Sequence, residues 1–229
     1  MLDYLNLKII GTTNLFLLLH YLIDRILKKE RESIRWFRNH VISNSIIVCL
    51  TFQDMIRLLE CKNNCLELQQ EGGFLMTSNY PKSNFSLTPS EMIVSVTSAL
   101  HLYHLLFFDN LRTIDYMHHY LMLIVLAMSY LFQAACYQSM FMFFLSGLPG
   151  LIDYYLLSKR VERKVEKKVN VYLNNYIRSP GIIFTMGLYW RDIMDAGFWS
   201  LLIGYGLLYW NATYFNLDVS RSYYSYISV

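Results

Sequence analysis

Charge is what this 229-residue chain has least of. Only 16% of its residues are Asp, Glu, Lys or Arg, while 55% are hydrophobic; soluble domains carry about 25% charged residues. Residues 116–152 form a run of 37 positions without a formal charge, bounded by Asp115 and Asp153. As one helix, that run would nearly cross two hydrocarbon cores of about 30 Å. A soluble core never requires it. Disorder is excluded by an aromatic content of 16%. Four cysteines, Cys49, Cys61, Cys65 and Cys136, are too few and too scattered for a disulfide scaffold or a zinc ribbon. The net charge of +3 is spread over loops rather than arranged as a basic stripe, so nucleic acid is excluded as a partner. The N-terminus MLDYLNLKII lacks a basic region and a small-residue cleavage site, so the first apolar run is expected to act as an uncleaved anchor.

What is present is a series of apolar segments. They predict an all-α, polytopic transmembrane helix bundle of about seven spans: 5–23, 40–58, 91–108, 119–135, 138–157, 181–194 and 197–214. The last two could also form one broken hairpin. A tight turn near Gln133–Gln138 predicts that spans four and five pack as an antiparallel pair. Lys and Arg concentrate in the linkers 24–39, 109–118 and 159–180 and in the tail after 215, with 15 of the 20 positive residues. These loops resist translocation and are expected to be cytosolic, which puts the N-terminus in the lumen or exterior and the C-terminus in the cytosol. Three divisions follow: 1–32 as first anchor and basic linker, 33–215 as the main transmembrane domain, and 216–229 as a short cytosolic tail. The loop 59–90 is then external, with Asn84-Phe85-Ser86 as a glycosylation candidate and Cys61 and Cys65 either paired or free.

Segment 158–178 places Val161, Val165, Val169, Leu173 and Ile177 four residues apart among lysines and arginines. Two readings are open: a basic amphipathic helix in contact with anionic lipid, or a connector whose apolar stripe packs on the bundle.

Ionisable groups within apolar spans are costly, and each is a functional candidate. His101 and His104 share a helical face, as do Asp115, His118 and His119 at i, i+3 and i+4. Asp153 follows Gly147-Leu148-Pro149-Gly150. Arg191 and Asp195 are spaced as an i, i+4 pair, and their plain structural reading is mutual neutralisation between helices. Membrane di-iron oxygenases need about eight clustered histidines. This chain has six, with His20 and His40 in separate segments, so no metal site is expected. Rhomboid-type proteolysis fails because no histidine follows His119.

The run His104 … Asp115-Tyr-Met-His118-His119 … Ser129-Tyr130 resembles the TLC (TRAM, Lag and CLN) domain family. So do Arg38-Asn39-His40-Val-Ile-Ser43, Gly147-Leu-Pro149-Gly150-Leu-Ile-Asp153-Tyr154 and Leu208-Tyr209-Trp210-Asn211. The resemblance covers roughly 33–215. It implies a membrane domain of an internal membrane such as the endoplasmic reticulum, with lipids as partners and a His-His doublet at a helix start. His118, His119 and Asp153 become the catalytic candidates, with His101, His104, Asp115, Arg191 and Asp195 lining a lipid cavity or a polar network. The ceramide synthase branch carries a second His-Asp pair that this chain lacks, so the first expectation is lipid binding, sensing or homeostasis without a cofactor. The alternative is an N-acyltransferase using acyl-coenzyme A as co-substrate, with an imidazole as base or acyl carrier. A membrane scaffold built on the basic segment is the third reading. Nothing in the sequence sets an oligomeric state.

Overall fold

The computed structural model describes residues 2–60, 89–131, 135–193 and 198–227, and among them every regular element is helical. In chain order these are α1 (Leu2–Ile26), α2 (Glu32–Glu60), α3 (Pro89–Phe107), α4 (Thr113–Leu131), α5 (Ala135–Met142), α6 (Leu148–Ser158), α7 (Arg163–Leu173), α8 (Ser179–Ile193) and α9 (Phe198–Ile227). A π-turn, Phe143–Gly147, joins α5 to α6 without breaking the rod, and a second, Asn174–Arg178, joins α7 to α8. Each of the seven apolar segments contains a helix among its described residues. By length and composition, two stretches suffice to cross a membrane, Leu7–Ile26 and Ser139–Ser158, while the apolar stretch Glu91–Phe107 is shorter.

α1 and α2 both pack on α3, and α2 packs on α6, α5 and the first π-turn. The apolar core lies between α2, α3 and the α5–α6 rod, around Ile47, Ile93, Val96, Met142 and Leu145, with Ile182 of α8 closing it. Two glycines allow the closest approaches. A methyl on Gly150 would lie 2.7 Å from Asn44 Nδ2, and one on Gly181 would run into the Phe144 ring. Such a Cβ has no place without moving its neighbour.

One expectation is adjusted. α4 packs mainly on α3 and meets α5 only sparsely, so the tight turn does not produce an extensive helix pair. Its outer face instead presents Tyr116, Met117, Tyr120 and Ile124 at the surface. Residues 216–227 continue α9, which stays helical to Ile227. Of the apolar stripe in 158–178, Leu173 is buried and Val165 exposed, and Glu166, Val171 and Asn174 are buried on the same segment.

The linkers 27–31, 108–112 and 159–162 meet at one end of the molecule. Glu30 pairs with Arg38 at 3.4 Å and Arg160 at 3.8 Å, and the Asn110 amide donates to Glu32 at 3.5 Å. Lys167 reaches the Ser222 hydroxyl, which ties α9 to the same end. α6 stops there in a Schellman turn: the Val161 amide donates to the Leu156 carbonyl at 3.2 Å and Arg160 takes a φ of 54°. Cys61, Cys65 and Asn84 lie outside the described residues, as does Asp195, and nothing of the Arg191 side chain is described.

Candidate functional site

All six histidines of the sequence stand on α1–α4, and the fold draws them into one neighbourhood. His20, which sequence reading assigned to a separate segment, is fully buried and bonded on both sides. Its Nδ1 lies 3.1 Å from Asn39 Oδ1 and its Nε2 lies 3.0 Å from Ser43 Oγ. An amide oxygen only accepts, so Nδ1 carries the proton and Ser43 donates to Nε2. This histidine is a satisfied structural group.

His40, likewise set apart by sequence reading, joins His104 through rings centred 4.7 Å apart. Trp36 stacks on His104 at 3.7 Å, and Tyr154 stacks on His40 at 4.0 Å. The result is an aromatic column, Trp36–His104–His40–Tyr154, spanning α2, α3 and α6. Beside it, His101 Nδ1 of α3 faces His119 Nδ1 of α4 at 2.6 Å, and the His118 ring lies 5.3 Å from that of His101. Two neutral imidazoles this close must differ in tautomer, one donating and one accepting. Both His104 nitrogens, His119 Nε2 and His40 Nε2 are buried without a hydrogen-bond partner. Orphaned buried polar atoms cost free energy, so their accumulation in one place calls for a physical reason.

The doublet is held by the start of α4. The Arg112 amide and guanidinium both donate to the Asp115 carboxylate, at 2.9–3.0 Å, closing the helix start from three residues downstream. The side-chain hydrogen bond from Arg112 is the main reason the Asp115 carboxyl titrates below its ordinary value; partial burial opposes it. Asp115 is also the carboxylate that acts electrostatically on both His118 and His119.

Asp153 does not join the doublet. It faces Glu166 of α7, with the Arg178 and Arg163 guanidiniums as the cations that act on it. Arg163 pairs with Glu166 at 2.7 Å. From there a polar ladder climbs at four-residue intervals. Asn174 donates to the Asn170 carbonyl at 2.8 Å and to its side-chain oxygen at 2.7 Å, and Arg178 donates to Asn174 at 3.0 Å. Burial lowers the Arg178 guanidinium from its ordinary value, while Asp153 and Tyr154 raise it. Sequence reading missed Glu166, Asn170, Asn174 and Arg178. Their i, i+4 spacing was visible, but attention to the valines of the same segment hid it.

Histidine wall and ladder wall enclose one cavity of about 970 Å³. Asn110, Arg112 and Asp218 line it at the end where the linkers meet, and Ile47, Met122 and Leu145 line it in the core. His101, His118 and His119 line one side; Asp153, Glu166 and Arg178 line the other. Such a volume matches a small-molecule site with convergent polar groups. His104 lies behind this lining, under Trp36. Comparison with protein-family models, curated proteins and solved structures finds no match to this chain.

Proposed function

We propose that the chain is a multi-pass membrane protein of the TLC-domain type whose cavity holds the polar part of a lipid. The observation that carries the reading is an inverted distribution of side chains. On α1, Leu15 is 64% and Ile26 81% exposed, whereas His20 is 0% exposed. The same holds elsewhere: Leu106, Ile124, Tyr155, Tyr176, Ile183 and Phe184 face outward, while Asn39, Ser43, Asn44, Thr97, Glu166 and Asn174 are buried. In water this arrangement forgoes burial of apolar area worth about 25 cal/mol per Å². In hydrocarbon it is the favoured arrangement, because the polar groups are kept away from acyl chains.

The inversion also accounts for the mild hydropathy of α2. Asn39, His40, Ser43, Asn44 and Thr51 lower its average, yet all point into the protein and none would meet acyl chains. Seven crossings therefore fit helices of which only two are continuously apolar. The basic linkers and the end of α9 share one pole, as a cytosolic face requires. A lipid would enter from there, its charged headgroup between Arg112, Arg163 and Arg178, its chain toward Met122 and Leu145. An internal membrane is the setting that the resemblance implies.

Two measurements test this. The protein is expected in the pellet after an alkaline carbonate wash of host membranes; recovery from the supernatant overturns the membrane reading. Native mass spectrometry of detergent-purified protein is expected to retain bound lipid, with occupancy falling at least several-fold in Arg178→Ala. Equal occupancy overturns the cavity as the lipid site. In the acyltransferase alternative the carboxylate beside the imidazoles would be Asp115, since Asp153 is engaged with Glu166. That alternative predicts coenzyme A release from acyl-coenzyme A and a sphingoid base, and background release across several chain lengths eliminates it.

A further inference from the structure

We propose that His101, His118 and His119 form a three-histidine site for a divalent transition cation of the Zn²⁺ class, bridging α3 and α4 at the cavity wall. One ligand nitrogen from each residue falls within 4.8 Å of the other two. Three imidazoles from two helices match the donor type and number that such a cation takes when a fourth position stays open to solvent or substrate. His101 and His119 are buried, and all three line the cavity, so the open position faces ligand-accessible space.

The geometry is near the required one. Bonds of about 2.0–2.1 Å in a tetrahedral shell place ligand nitrogens about 3.3 Å apart. The His101–His119 contact of 2.6 Å must open, and the longest separation, up to 4.8 Å, must close.

Two further observations point to a ligand. His119 Nε2 is buried without a partner although Nδ1 of the same ring faces His101, so this ring is not held at both nitrogens as a structural histidine is. Asp115, fixed by Arg112 one helical turn away, acts on both members of the doublet and favours a cation held by them, while Arg178 acts on His118 in the opposite sense. A purely structural histidine is available for contrast, since His20 on α1 is bonded at both nitrogens to Asn39 and Ser43. The site goes beyond lipid binding and does not depend on it: the protein could fail to bind a lipid and still hold the ion, and the reverse.

The test uses full-length protein purified in mild detergent, stripped with a chelator and titrated with Co²⁺. One Co²⁺ per chain with the visible absorption of a tetrahedral nitrogen site is expected, displaced by Zn²⁺. His118→Gln and His119→Gln are each expected to weaken binding on the order of a hundredfold, and His20→Gln to leave it within a factor of about two. Diethyl pyrocarbonate labelling of the unaltered protein removes any dependence on variant folding: Zn²⁺ is expected to protect His101, His118 and His119 and not His20. Substoichiometric Co²⁺ binding, binding indifferent to the doublet, or labelling unchanged by Zn²⁺ overturns the proposal.

Discussion

On one side of the cavity stand imidazoles from α2, α3 and α4, several with ring nitrogens that meet no partner. On the other, α7 and the turn after it carry Glu166, Asn170, Asn174 and Arg178 along one helical face, with Arg178 bonded to Asn174, Asn174 to Asn170, and Glu166 paired with Arg163. Both walls place polar groups in the interior, and they differ in what engages those groups. The ladder sets guanidiniums against carboxyls, although Asp153 Oδ1 and Arg178 Nε make no hydrogen bond. The histidine wall spends its surface on ring stacking and leaves nitrogens in reserve. The first is built to persist, the second to accept something.

Removing one member from each wall separates them. Arg178→Ala withdraws the guanidinium from Asp153 and Asn174 and leaves Arg163 as the remaining cation beside Asp153 and Glu166, at a cost of about 3 kcal/mol. Thermal unfolding in detergent should register this as the largest loss. A near-normal melting temperature would show that the ladder is not the stabilising wall. Gly181→Val acts on the same rod through packing: its side chain displaces Phe144, at about 2 kcal/mol.

The Arg112–Asp115 contact lies on the histidine side and is mostly solvated, so Asp115→Asn should cost only about 0.5 kcal/mol. Because the folded carboxyl titrates below its ordinary value, the contribution is complete above that value and fades as pH falls through the lowered one. Melting temperatures of the variant and the parent should therefore converge in acid. Divergence in acid would mean that the carboxylate acts through some other contact. The smallest effect is expected from His104→Phe, which keeps the stack on Trp36 and discards two unpartnered nitrogens. It should change stability by less than about 0.5 kcal/mol in either direction. A large loss there would reveal a bond that the ring makes in the working protein.

How far each wall could be read in advance follows from the physics of its signals. The helices were legible because apolar runs separated by basic linkers have few alternative explanations. The His118–His119 doublet was conspicuous on the same ground, as adjacent imidazoles serve little packing purpose. His40 was not legible as a neighbour of His104, since 64 residues separate them and only the packing of α2 on α3 unites them. The ladder was misread for a different reason. Valines and polar residues in 158–178 both recur every fourth position, and periodicity says which residues share a face without saying which face turns inward. Both readings of the stripe, against anionic lipid or against the bundle, therefore stayed open. The π-turns left no mark at all, because Phe-Phe-Leu-Ser-Gly and Asn-Asn-Tyr-Ile-Arg read as ordinary helix.

The turn at Phe143–Gly147 has an outcome that reaches beyond its own five residues. A wider loop of this kind houses one amino acid more than regular winding would, so everything downstream is phased about 100° away from where an uninterrupted coil would put it. Asp153 and Tyr154 owe their bearing to that offset. Excision of a single residue at Phe144 would let the rod rewind, swing both side chains away from His40 and Glu166, and dismantle the site without touching any of its members.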